Sequence, residues 1–486
     1  MKQGYIVFDF GTGNMRVAVI ETNGTILAIE REDIHYQSNP EFAQSLYFDP
    51  EQIWSRLVTL ARNALARSGD VRIIGATSTS QRQGIVLIDR NGRPFLGLPN
   101  IDFRGEDYSK QMPNRQAIYE KTARWPTGLF SGMSLAFIRT YEPEVWERID
   151  KFCSISDWMV YMLSGKLGYE PSQATETLLY DVRLNEWSEA LAQEMNLTTS
   201  ILPPIHPSGT VLGNLLPEMS ALFGLEQDVK VIVGGADTQV AVKHVTSSVG
   251  DAIIVSGTTT PIVKIVDRFL YDSHARTWTN SHIEPGKWLI EGNCGVSGLN
   301  YQKIKAIFYP NESYETMEEE MSRVNHYDCF ACLSTSPIDG VQPQHGGFVF
   351  PIPTPQHLTR AHFAWAALFD IACAIKTIWG QVEDIVRDTG FIWGCGGGFQ
   401  SATLSGMLAD MLDAEIRVKR NGQHSSVLGS VLICNETLGI PGGTDFNDYE
   451  SVLPDKKTDY QQLYEDWLQC RKIIDQKTYI KGASND

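Results

Sequence analysis

Apolar residues along this chain form short runs that end at glycine or aspartate. Such runs predict buried strands at Tyr5–Phe8, Val71–Ala76 and Val231–Val233. Before the second of these strands, Asp49 and Pro50 precede apolar residues at helical spacing, so we predict a helix that begins at Pro50 and is capped by Asp49. Strands that alternate with amphipathic helices indicate an α/β fold.

The remaining elements follow from the same periodicities. Further strands are predicted at Arg16–Ile20, Ile26–Ile29, Ile85–Ile88, Ala252–Ser256, Ile262–Val266, Phe391–Trp393 and Glu415–Val418. Further helices are predicted at Phe363–Lys376, Ile378–Val386, Leu404–Leu412 and Ser425–Leu438. A peripheral helix is expected in the polar tail that begins at Asp445.

The central motif is the segment Val231–Gln239, in which Gly234 and Gly235 separate an apolar strand from Asp237. Glycines let a backbone turn sharply and let another molecule approach it. An aspartate at the mouth of a strand lies where α/β folds place their chemistry. The alternative is an ordinary strand-to-helix turn in which Asp237 is the N-cap.

Two similar stretches flank this motif. Gly11-Thr12 recurs as Gly257-Thr258, 246 residues later and close to half of the length of 486 residues, which indicates a duplicated domain. Amides and hydroxyls in such turns can bind phosphate oxygens, although each turn alone is typical of a plain hairpin.

The two copies differ in charge. Asp9 and Arg16 flank the first turn, whereas Val255 and Ile262 stand at the corresponding positions of the second. An ionised Asp9 suits magnesium, or it caps a strand. Arg16 could pair with Asp9, neutralise a phosphoryl group or be an exposed strand charge.

Three polar or glycine-rich segments add candidate chemistry. Gly396–Gly398 lies between a predicted strand and helix, where bare backbone could contact an adenosine. Gln81–Gln83 and Asn100–Arg104 carry amides, a carboxylate and guanidinium groups that suit a polyhydroxylated ligand, with solvated loops as the alternative.

Composition and charge limit the kinds of partner and the location that we expect for this protein. The chain is 42% hydrophobic and 20% charged, and its formal net charge of −17 disfavours nucleic acid and anionic membranes as partners. No signal peptide is seen, and no apolar run approaches the ~18 residues of a membrane span. Eight scattered cysteines are typical of reduced thiols in a cytoplasm, and no second ligand pair supports a zinc site at Cys329 and Cys332.

The motifs together resemble those of the FGGY carbohydrate kinases. The resemblance spans Tyr5 to Leu438, and local strings around Ser156–Gly165 and Pro171–Asp181 look most like autoinducer-2 kinases and xylulokinases. It rests on Asp9-x-Gly-Thr-x-x-x-Arg16, Gly-Gly-x-Asp237, Gly257-Thr258 and Gly396–Gly398 in that order.

The resemblance implies two actin-like (ribonuclease H-like) domains, at 1–245 and 246–486, with ATP, magnesium and sugar in an interdomain cleft. Asp237 would be the catalytic base and, with Asp9, would serve the metal. The implied cofactor-binding residues are Gly11, Thr12, Gly13, Arg16, Gly257, Thr258, Gly397, Gly398 and Ser401. The implied sugar-binding residues are Arg82, Gln83, Asp102 and Asp237.

The expected activity is therefore transfer of the ATP γ-phosphate to a hydroxyl of a small sugar, such as the ketopentose xylulose. Linear autoinducer-2 precursor and polyols are alternative substrates, because xylulokinases typically carry Met-His where this chain has Arg82-Gln83. His424 stands where the family usually has a glutamate. A non-catalytic sugar or nucleotide sensor and a protein-directed ATPase are the competing classes. The location expected is cytoplasmic, and a homodimer is left open.

Overall fold

The computed structural model describes residues 2–42, 44–246, 248–336, 343, 345–386, 390–441 and 448–476. The strands in chain order are β1 (Lys2–Phe10), β2 (Asn14–Glu21), β3 (Ile26–Asp33), β4 (Gln37–Ser38), β5 (Leu46–Tyr47), β6 (Val71–Ser80), β7 (Ile85–Asp89), β8 (Pro94–Leu98), β9 (Ile149–Ser154), β10 (Tyr180–Asp181), β11 (Glu186–Trp187), β12 (Val211–Asn214), β13 (Lys230–Ala236), β14 (Ala252–Val255), β15 (Thr259–Val266), β16 (Trp278–Ser281), β17 (Trp288–Val296), β18 (Phe330–Cys332), β19 (Gly347–Val349), β20 (Phe391–Cys395), β21 (Glu415–Lys419) and β22 (Tyr449–Val452).

The α-helices are α1 (Pro50–Arg67), α2 (Glu106–Lys110), α3 (Arg115–Thr122), α4 (Ser131–Tyr141), α5 (Pro143–Arg148), α6 (Ile155–Ser164), α7 (Pro171–Ala174), α8 (Glu189–Glu194), α9 (Pro217–Phe223), α10 (Asp237–Val245), α11 (Gly298–Phe308), α12 (Tyr314–Met321), α13 (Arg360–Glu383), α14 (Ala402–Leu412), α15 (Ser425–Leu438) and α16 (Tyr460–Gln476). Short 3-10 turns occur at Thr175–Thr177, Thr199–Ile201, Gly397–Gln400 and Gly422–His424.

Helix α1 confirms the predicted start signal. The Asp49 carboxylate accepts hydrogen bonds from the backbone amides of Glu51 and Gln52, at 2.8 Å and 3.3 Å, and Pro50 occupies the first turn, where no amide is needed. The Gln52 side chain returns a hydrogen bond to Asp49 at 3.1 Å. The predicted apolar face is buried, and it comprises Ile53, Leu57, Leu60, Ala61 and Ala64.

The first compact unit comprises Met1–Ser247, Val266–Leu289 and His424–Asp445. Its main sheet has the strand order β12-β13-β6-β1-β2-β3. Strand β6 is parallel to both β1 and β13, and Ser80 at its end is paired with Phe10 on one side and with Ala236 on the other. Because the carboxyl ends of parallel strands meet at one edge, the segments that follow β1, β6 and β13 emerge together there.

Strand β1 is buried on both faces, as its continuous apolar sequence predicts. Ile6, Phe8 and Phe10 belong to the large core that also contains residues of α1 and α6. Tyr5 and Val7, which alternate with them, pack in a second cluster with residues of α10 and α15. The helix α10 is therefore supported by the sheet of its own unit and by α15.

The second compact unit comprises Ser248–Ile265, Ile290–Gln423 and Phe446–Asp486. The strands that this unit contributes to its sheet run in the order β17-β15-β14-β20-β21-β22. Strand β20 is parallel to β14 and β21, and β14 and β15 form an antiparallel hairpin. This order repeats that of the first unit, with β14 in the place of β1 and β20 in the place of β6. The duplication inferred from the glycine-threonine turns therefore extends to the strand order of the sheets.

Each compact unit is made of three separate segments, whereas the prediction is two continuous ranges. The first segment of unit 1 ends close to the predicted boundary at 245/246, but Val266–Leu289 and His424–Asp445 also pack in that unit. The assignment of sugar-side and ATP-side functions to the ranges 1–245 and 246–486 stays a prediction.

One predicted break in helix structure is wrong. The segments predicted as two helices, Phe363–Lys376 and Ile378–Val386, form the single helix α13, which ends at Glu383. Thr377 does not interrupt it, since its hydroxyl bonds to the carbonyl oxygen of Cys373 at 2.9 Å within the helix. Among the described residues, α13 is also the one helix whose length and apolarity would suit a membrane span, but 78% of its apolar stretch is buried inside the protein, as in a core helix.

Candidate active site

Asp237 is the first residue of α10, directly after β13. Ala236 is the N-cap, so the alternative interpretation of Asp237 as the N-cap is wrong. The Asp237 carboxylate accepts a hydrogen bond from the backbone amide of Thr238 at 2.7 Å. Burial raises its pKa to about 6, the Arg82 charge opposes this rise, and the Asp9 charge adds to it. A carboxylate with this pKa is mostly ionised at neutral pH and can accept a proton.

The two glycines before Asp237 serve close packing. A Cβ on Gly234 would lie 1.8 Å from the carbonyl oxygen of Ser78 on β6, and one on Gly235 would lie 2.8 Å from the Ile283 side chain. Neither glycine has a left-handed backbone, so the expectation of a glycine-dependent sharp turn is wrong. The β6–β13 pairing is irregular between Ile232 and Gly235, and the glycines let the strand pass through this irregularity against its neighbour.

Two buried polar residues support the turn that carries Asp237. The backbone amide of Ala236 donates to the Ser172 hydroxyl at 3.0 Å, and Ser172 in turn donates to the Glu170 carboxylate. Burial raises the pKa of Glu170 to about 8. In the sequence, Ser172 is marked only by its place in the stretch Pro171–Asp181 of the family resemblance, and nothing local connects it with Asp237, because 64 residues separate Ser172 from Ala236.

Asp9 and Arg16 form an ion pair. They are directly opposite each other on β1 and β2, and the Arg16 guanidinium contacts Asp9 Oδ2 at 2.8 Å. Ser426, in the first turn of α15, donates to the same Asp9 oxygen at 2.8 Å and accepts from Arg16 at 2.8 Å. His424 Nδ1 lies 3.5 Å from the Arg16 guanidinium, and burial and the Arg16 charge lower the pKa of His424. Of the interpretations left open for Arg16, the structure shows the pairing with Asp9.

The turn after β1 is held by polar side chains from the segments 81–83 and 100–104. The Thr12 hydroxyl donates to Asn100 Oδ1 at 3.1 Å, and the backbone amide of Asn100 donates to Gln81 Oε1 at 3.0 Å. Gln81 also contacts the Gly11 carbonyl oxygen at 3.4 Å. A Cβ on Gly13 would meet no other atom within 4 Å, so open space lies beside that position.

Arg82 and Gln83 both contact Glu176, a residue that the sequence reasoning did not select. Gln83 Nε2 donates to Glu176 Oε2 at 2.5 Å, and the Arg82 guanidinium lies 3.6 Å from Glu176 Oε1. The fully buried Arg124 donates to both oxygens of Glu176, at 2.8 Å and 3.3 Å. Burial disfavours the charged form of Glu176, but the charges of Arg124 and Arg82 and the hydrogen bonds outweigh it and lower the pKa of Glu176.

Asp102 has protein partners at both carboxylate oxygens. It accepts from Arg104 Nε at 2.9 Å and 3.0 Å, from the Leu46 amide at 2.8 Å and from the Ser134 hydroxyl at 3.2 Å. Asp102 is 2% exposed and Arg104 also pairs with Glu142 at 2.8 Å. The structure thus gives Asp102 a place in a buried ion-pair network, and its predicted contact with sugar stays a prediction.

The predicted cofactor residues of unit 2 lie around Ser256. The amide of Gly398 donates to the Ser256 carbonyl oxygen at 3.1 Å, and a Cβ on Gly398 would lie 2.1 Å from the Ser256 hydroxyl. Gly257 follows Ser256 directly, and a Cβ on Gly397 would meet no atom within 4 Å. The carbonyl oxygen of Thr258 accepts from the amide of Ser297 at 3.1 Å. The glycine-rich loop and the second glycine-threonine turn are therefore neighbours, and open space lies beside Gly397.

Ser401 has a structural partner of its own. Its hydroxyl caps α14 by accepting from the Leu404 amide at 3.1 Å, and it donates to the Glu318 carboxylate at 2.9 Å. Glu318 also accepts from the Thr403 amide at 2.6 Å. A contact between Ser401 and a nucleotide stays a prediction.

The carboxylates of Asp9 and Asp237 fit a magnesium ion in one respect. They are close enough for the Asp9 charge to raise the pKa of Asp237, and a divalent cation relieves such repulsion. Within the described part of the chain no group of three or more His, Cys, Asp or Glu residues suits a metal ion. Two carboxylates suffice for magnesium, because this ion keeps several waters and binds substrate phosphates. Cys329 and Cys332 are buried free thiols.

Comparison with known proteins assigns the family. The N-terminal domain of the FGGY family of carbohydrate kinases matches residues 4–243. A Bacillus subtilis protein named "Putative sugar kinase YoaC" is 47% identical over 480 residues, which cover 97% of this chain and 98% of that protein. The chain belongs to the FGGY family of carbohydrate kinases. This FGGY kinase is thus a phosphotransferase that acts on ATP and a sugar-type alcohol.

More distant relatives agree on the fold and differ in substrate. The autoinducer-2 kinase of Photorhabdus laumondii is 27% identical to this FGGY kinase over 340 residues, which cover 66% of this chain and 64% of that protein. The ligand-bound xylulose kinase of Lactobacillus acidophilus has a TM-score of 0.85 at 17% identity, covering 98% of this chain and 99% of that one. The predicted fold class, the two-domain actin-like fold of FGGY kinases, is confirmed.

Proposed function

We propose that this FGGY kinase transfers the γ-phosphate of ATP to a hydroxyl of a ketopentose such as xylulose. Linear autoinducer-2 precursor and small polyols are the alternative acceptors. The observation that carries the proposal is Asp237, a base ionised near neutral pH at the sheet edge to which β1 and β6 also lead. The named relatives are kinases for a ketopentose and for autoinducer-2. Phosphoryl transfer is therefore common to the alternatives, which differ only in the molecule that accepts the phosphate.

In this proposal Asp237 accepts the proton of the sugar hydroxyl. A hydroxyl with a pKa of roughly 15.7 does not give its proton to a carboxylate in the ground state. It can do so late, as the phosphoryl group loosens from ADP and begins to bond to the sugar oxygen. The hydrogen bond that the Ala236 amide donates to the Ser172 hydroxyl helps keep Asp237 in place, and the Arg82 charge helps keep it ionised.

The remaining roles follow from the residues around the two turns. Magnesium, held by Asp9 with Asp237, would neutralise charge on the phosphates when bound. The amides around Thr12 and Thr258 and the Arg16 charge would bind phosphate oxygens. The open backbone at Gly397 would lie against adenosine. Cytoplasmic location and a homodimer stay predictions.

A panel assay tests the function. Release of ADP from Mg-ATP would be measured with xylulose, other ketoses, xylitol, glycerol and linear autoinducer-2 precursor, and Asp237→Asn protein from the same preparation would control for contaminating kinases. We expect one acceptor class to be used with the highest kcat/KM and the variant to be almost inactive. A rate independent of any sugar would favour an ATPase, and sugar binding without turnover would favour a sensor.

A further inference from the structure

Gln83 has an unusual backbone. Its φ is 64°, in the left-handed region that residues other than glycine, asparagine and aspartate seldom adopt. Such a conformation costs of order 1 kcal/mol or more and persists where surrounding contacts hold it. Next to Gln83, a Cβ on Gly84 would lie 2.6 Å from the Ile155 side chain, so the segment is packed closely. The side-chain contact that fixes Gln83 is the 2.5 Å hydrogen bond to Glu176.

The chemistry of Glu176 determines how the Gln83 amide is oriented. An ionised carboxylate can only accept hydrogen bonds, so the amide must present its NH2 group to Glu176. Glu176 is 0% exposed, and the Arg124 and Arg82 guanidinium groups beside it keep this carboxylate charged despite its burial. The Gln83 carbonyl oxygen is then the atom that can accept from a ligand.

Arg82 supplies the complementary chemistry beside Gln83. Its guanidinium offers donors only, and it lies near Glu176, over the Trp278 ring at 5.9 Å and close enough to Asp237 to influence its titration. A donor from Arg82 and an acceptor from Gln83 would suit two neighbouring oxygens of a sugar, one a hydroxyl that donates and the other an oxygen that accepts.

We propose that Glu176 is a specificity-determining positioning residue, which fixes Gln83 as a hydrogen-bond acceptor and holds Arg82 beside it. The ligand selected is a ketose or polyol with a hydroxyl next to a second oxygen. This inference rests on the proposed function, because it assumes that Arg82 and Gln83 face the sugar.

Moving the negative charge from position 176 to position 83 tests whether Glu176 and Gln83 act as a pair. Gln83→Glu places two carboxylates where a 2.5 Å hydrogen bond now forms, and Glu176→Gln leaves Arg82 and Arg124 without their shared carboxylate. Each change is expected to lower kcat/KM for the preferred sugar about 10–100-fold. The double variant Gln83→Glu/Glu176→Gln keeps the total charge and restores a donor facing an acceptor, but Arg124 still lacks the carboxylate at position 176. We therefore expect kcat/KM of the double variant to recover in part, to above the value that the two single losses would give if they simply multiplied.

Three further measurements make the outcome decisive. In the parent protein, substrates that lack one hydroxyl should have a lower kcat/KM than the preferred sugar. In Glu176→Gln this difference in kcat/KM should shrink, because the amide of Gln83 is no longer held in one orientation. Thermal unfolding of all four proteins should show a Tm of the double variant above the value expected from adding the two single losses. Asp370→Asn, which alters a buried carboxylate of unit 2 bonded to Trp467 at 2.9 Å, is the control and should leave the ratios of kcat/KM among sugars unchanged.

Effects on kcat/KM and Tm that simply add in the double variant would overturn the role of Glu176. Unchanged selectivity in Glu176→Gln would overturn the specificity assignment even if the pair is coupled in stability. A parent protein that uses no sugar in the panel would overturn the proposed function instead, and the Tm cycle would still decide whether Glu176 and Gln83 are coupled.

Discussion

The two glycine-threonine turns have the same place in two similar sheets and different chemistry around them. The first follows β1 and is flanked by the Asp9–Arg16 ion pair, to which Ser426 adds two hydrogen bonds. The second follows β14 and lies beside neutral hydroxyls, with Thr260 and Ser297 bonded at 2.7 Å. Duplication has thus preserved the strand order, while the charged groups have been kept in unit 1 alone at these corresponding positions.

The strand register of the hairpins differs as well. Asp9 pairs with Arg16 in the first hairpin, whereas Ile254 rather than Val255 pairs with Ile262 in the second. A shift of one residue exchanges the faces on which paired side chains lie. The second hairpin therefore could not recreate the ion pair simply by regaining an aspartate and an arginine at the matching sequence positions.

Asp237→Asn is expected to have the largest effect, because it removes the proposed catalytic base of unit 1. We expect kcat to fall by about 10²–10⁴, or roughly 3–5.5 kcal/mol, with ATP binding and folding largely retained. Steady-state kinetics and nucleotide binding would be measured on the same preparation. A variant that keeps more than about a tenth of the parent kcat would place the base elsewhere.

Arg16→Met and Ile262→Met compare the corresponding positions directly. Loss of Arg16 leaves Asp9 with a weaker set of partners, and since the Arg16 side chain is 19% exposed we expect a stability loss of about 1–3 kcal/mol, below that of a fully buried pair. We also expect kcat/KM for ATP to fall about 10–100-fold. Ile262→Met conserves volume and should cost less than about 1.5 kcal/mol. If the two variants had equal effects on thermal unfolding and on ATP kinetics, the charged first turn and the neutral second turn would not differ in function.

The pH dependence follows from the raised pKa of Asp237. The proposed base works only when ionised, so kcat/KM for the sugar should be level above about pH 6 and fall about tenfold for each pH unit below it. The residual activity of Asp237→Asn should lack this dependence. A profile that stays flat down to pH 5 in the parent protein would argue against a base with this pKa.

Gly13→Ala and Gly257→Ala should give the smallest effects. Added methyl groups would meet no atom within 4 Å at Gly13 and only the Thr259 carbonyl oxygen, at 3.7 Å, at Gly257. Stability should change by no more than about 0.5 kcal/mol. If phosphates approach both turns, the KM for ATP should rise about 3–10-fold in each variant. Gly234→Ala, which would collide with the Ser78 carbonyl oxygen, is the destabilised control for the unfolding measurement.

Local sequence signals predicted α1 and α15 well, because caps and apolar spacing act over a few residues. The predicted bounds Ser425–Leu438 are those of the structure. The bond from Ser426 to Asp9 could not be predicted, since 417 residues separate the two and nothing local marks the contact. Likewise, Gln83 was selected from its segment, but its partner Glu176 lies 93 residues away and resembles an ordinary helix-end acid in sequence.

The packing of α15 has a consequence for how this protein is made. A Cβ on Gly429 would lie 1.9 Å from the carbonyl oxygen of Val240, so α15 and α10 touch at the backbone. Yet α15 is synthesised after the first two of the three segments of the second unit. On the ribosome, the helix that begins at Asp237 therefore lacks its contact with α15 for some 180 residues of elongation, about 10–40 s at typical rates of synthesis. During synthesis, Asp237 therefore lies on a helix that lacks one of its packing partners until α15 has been made.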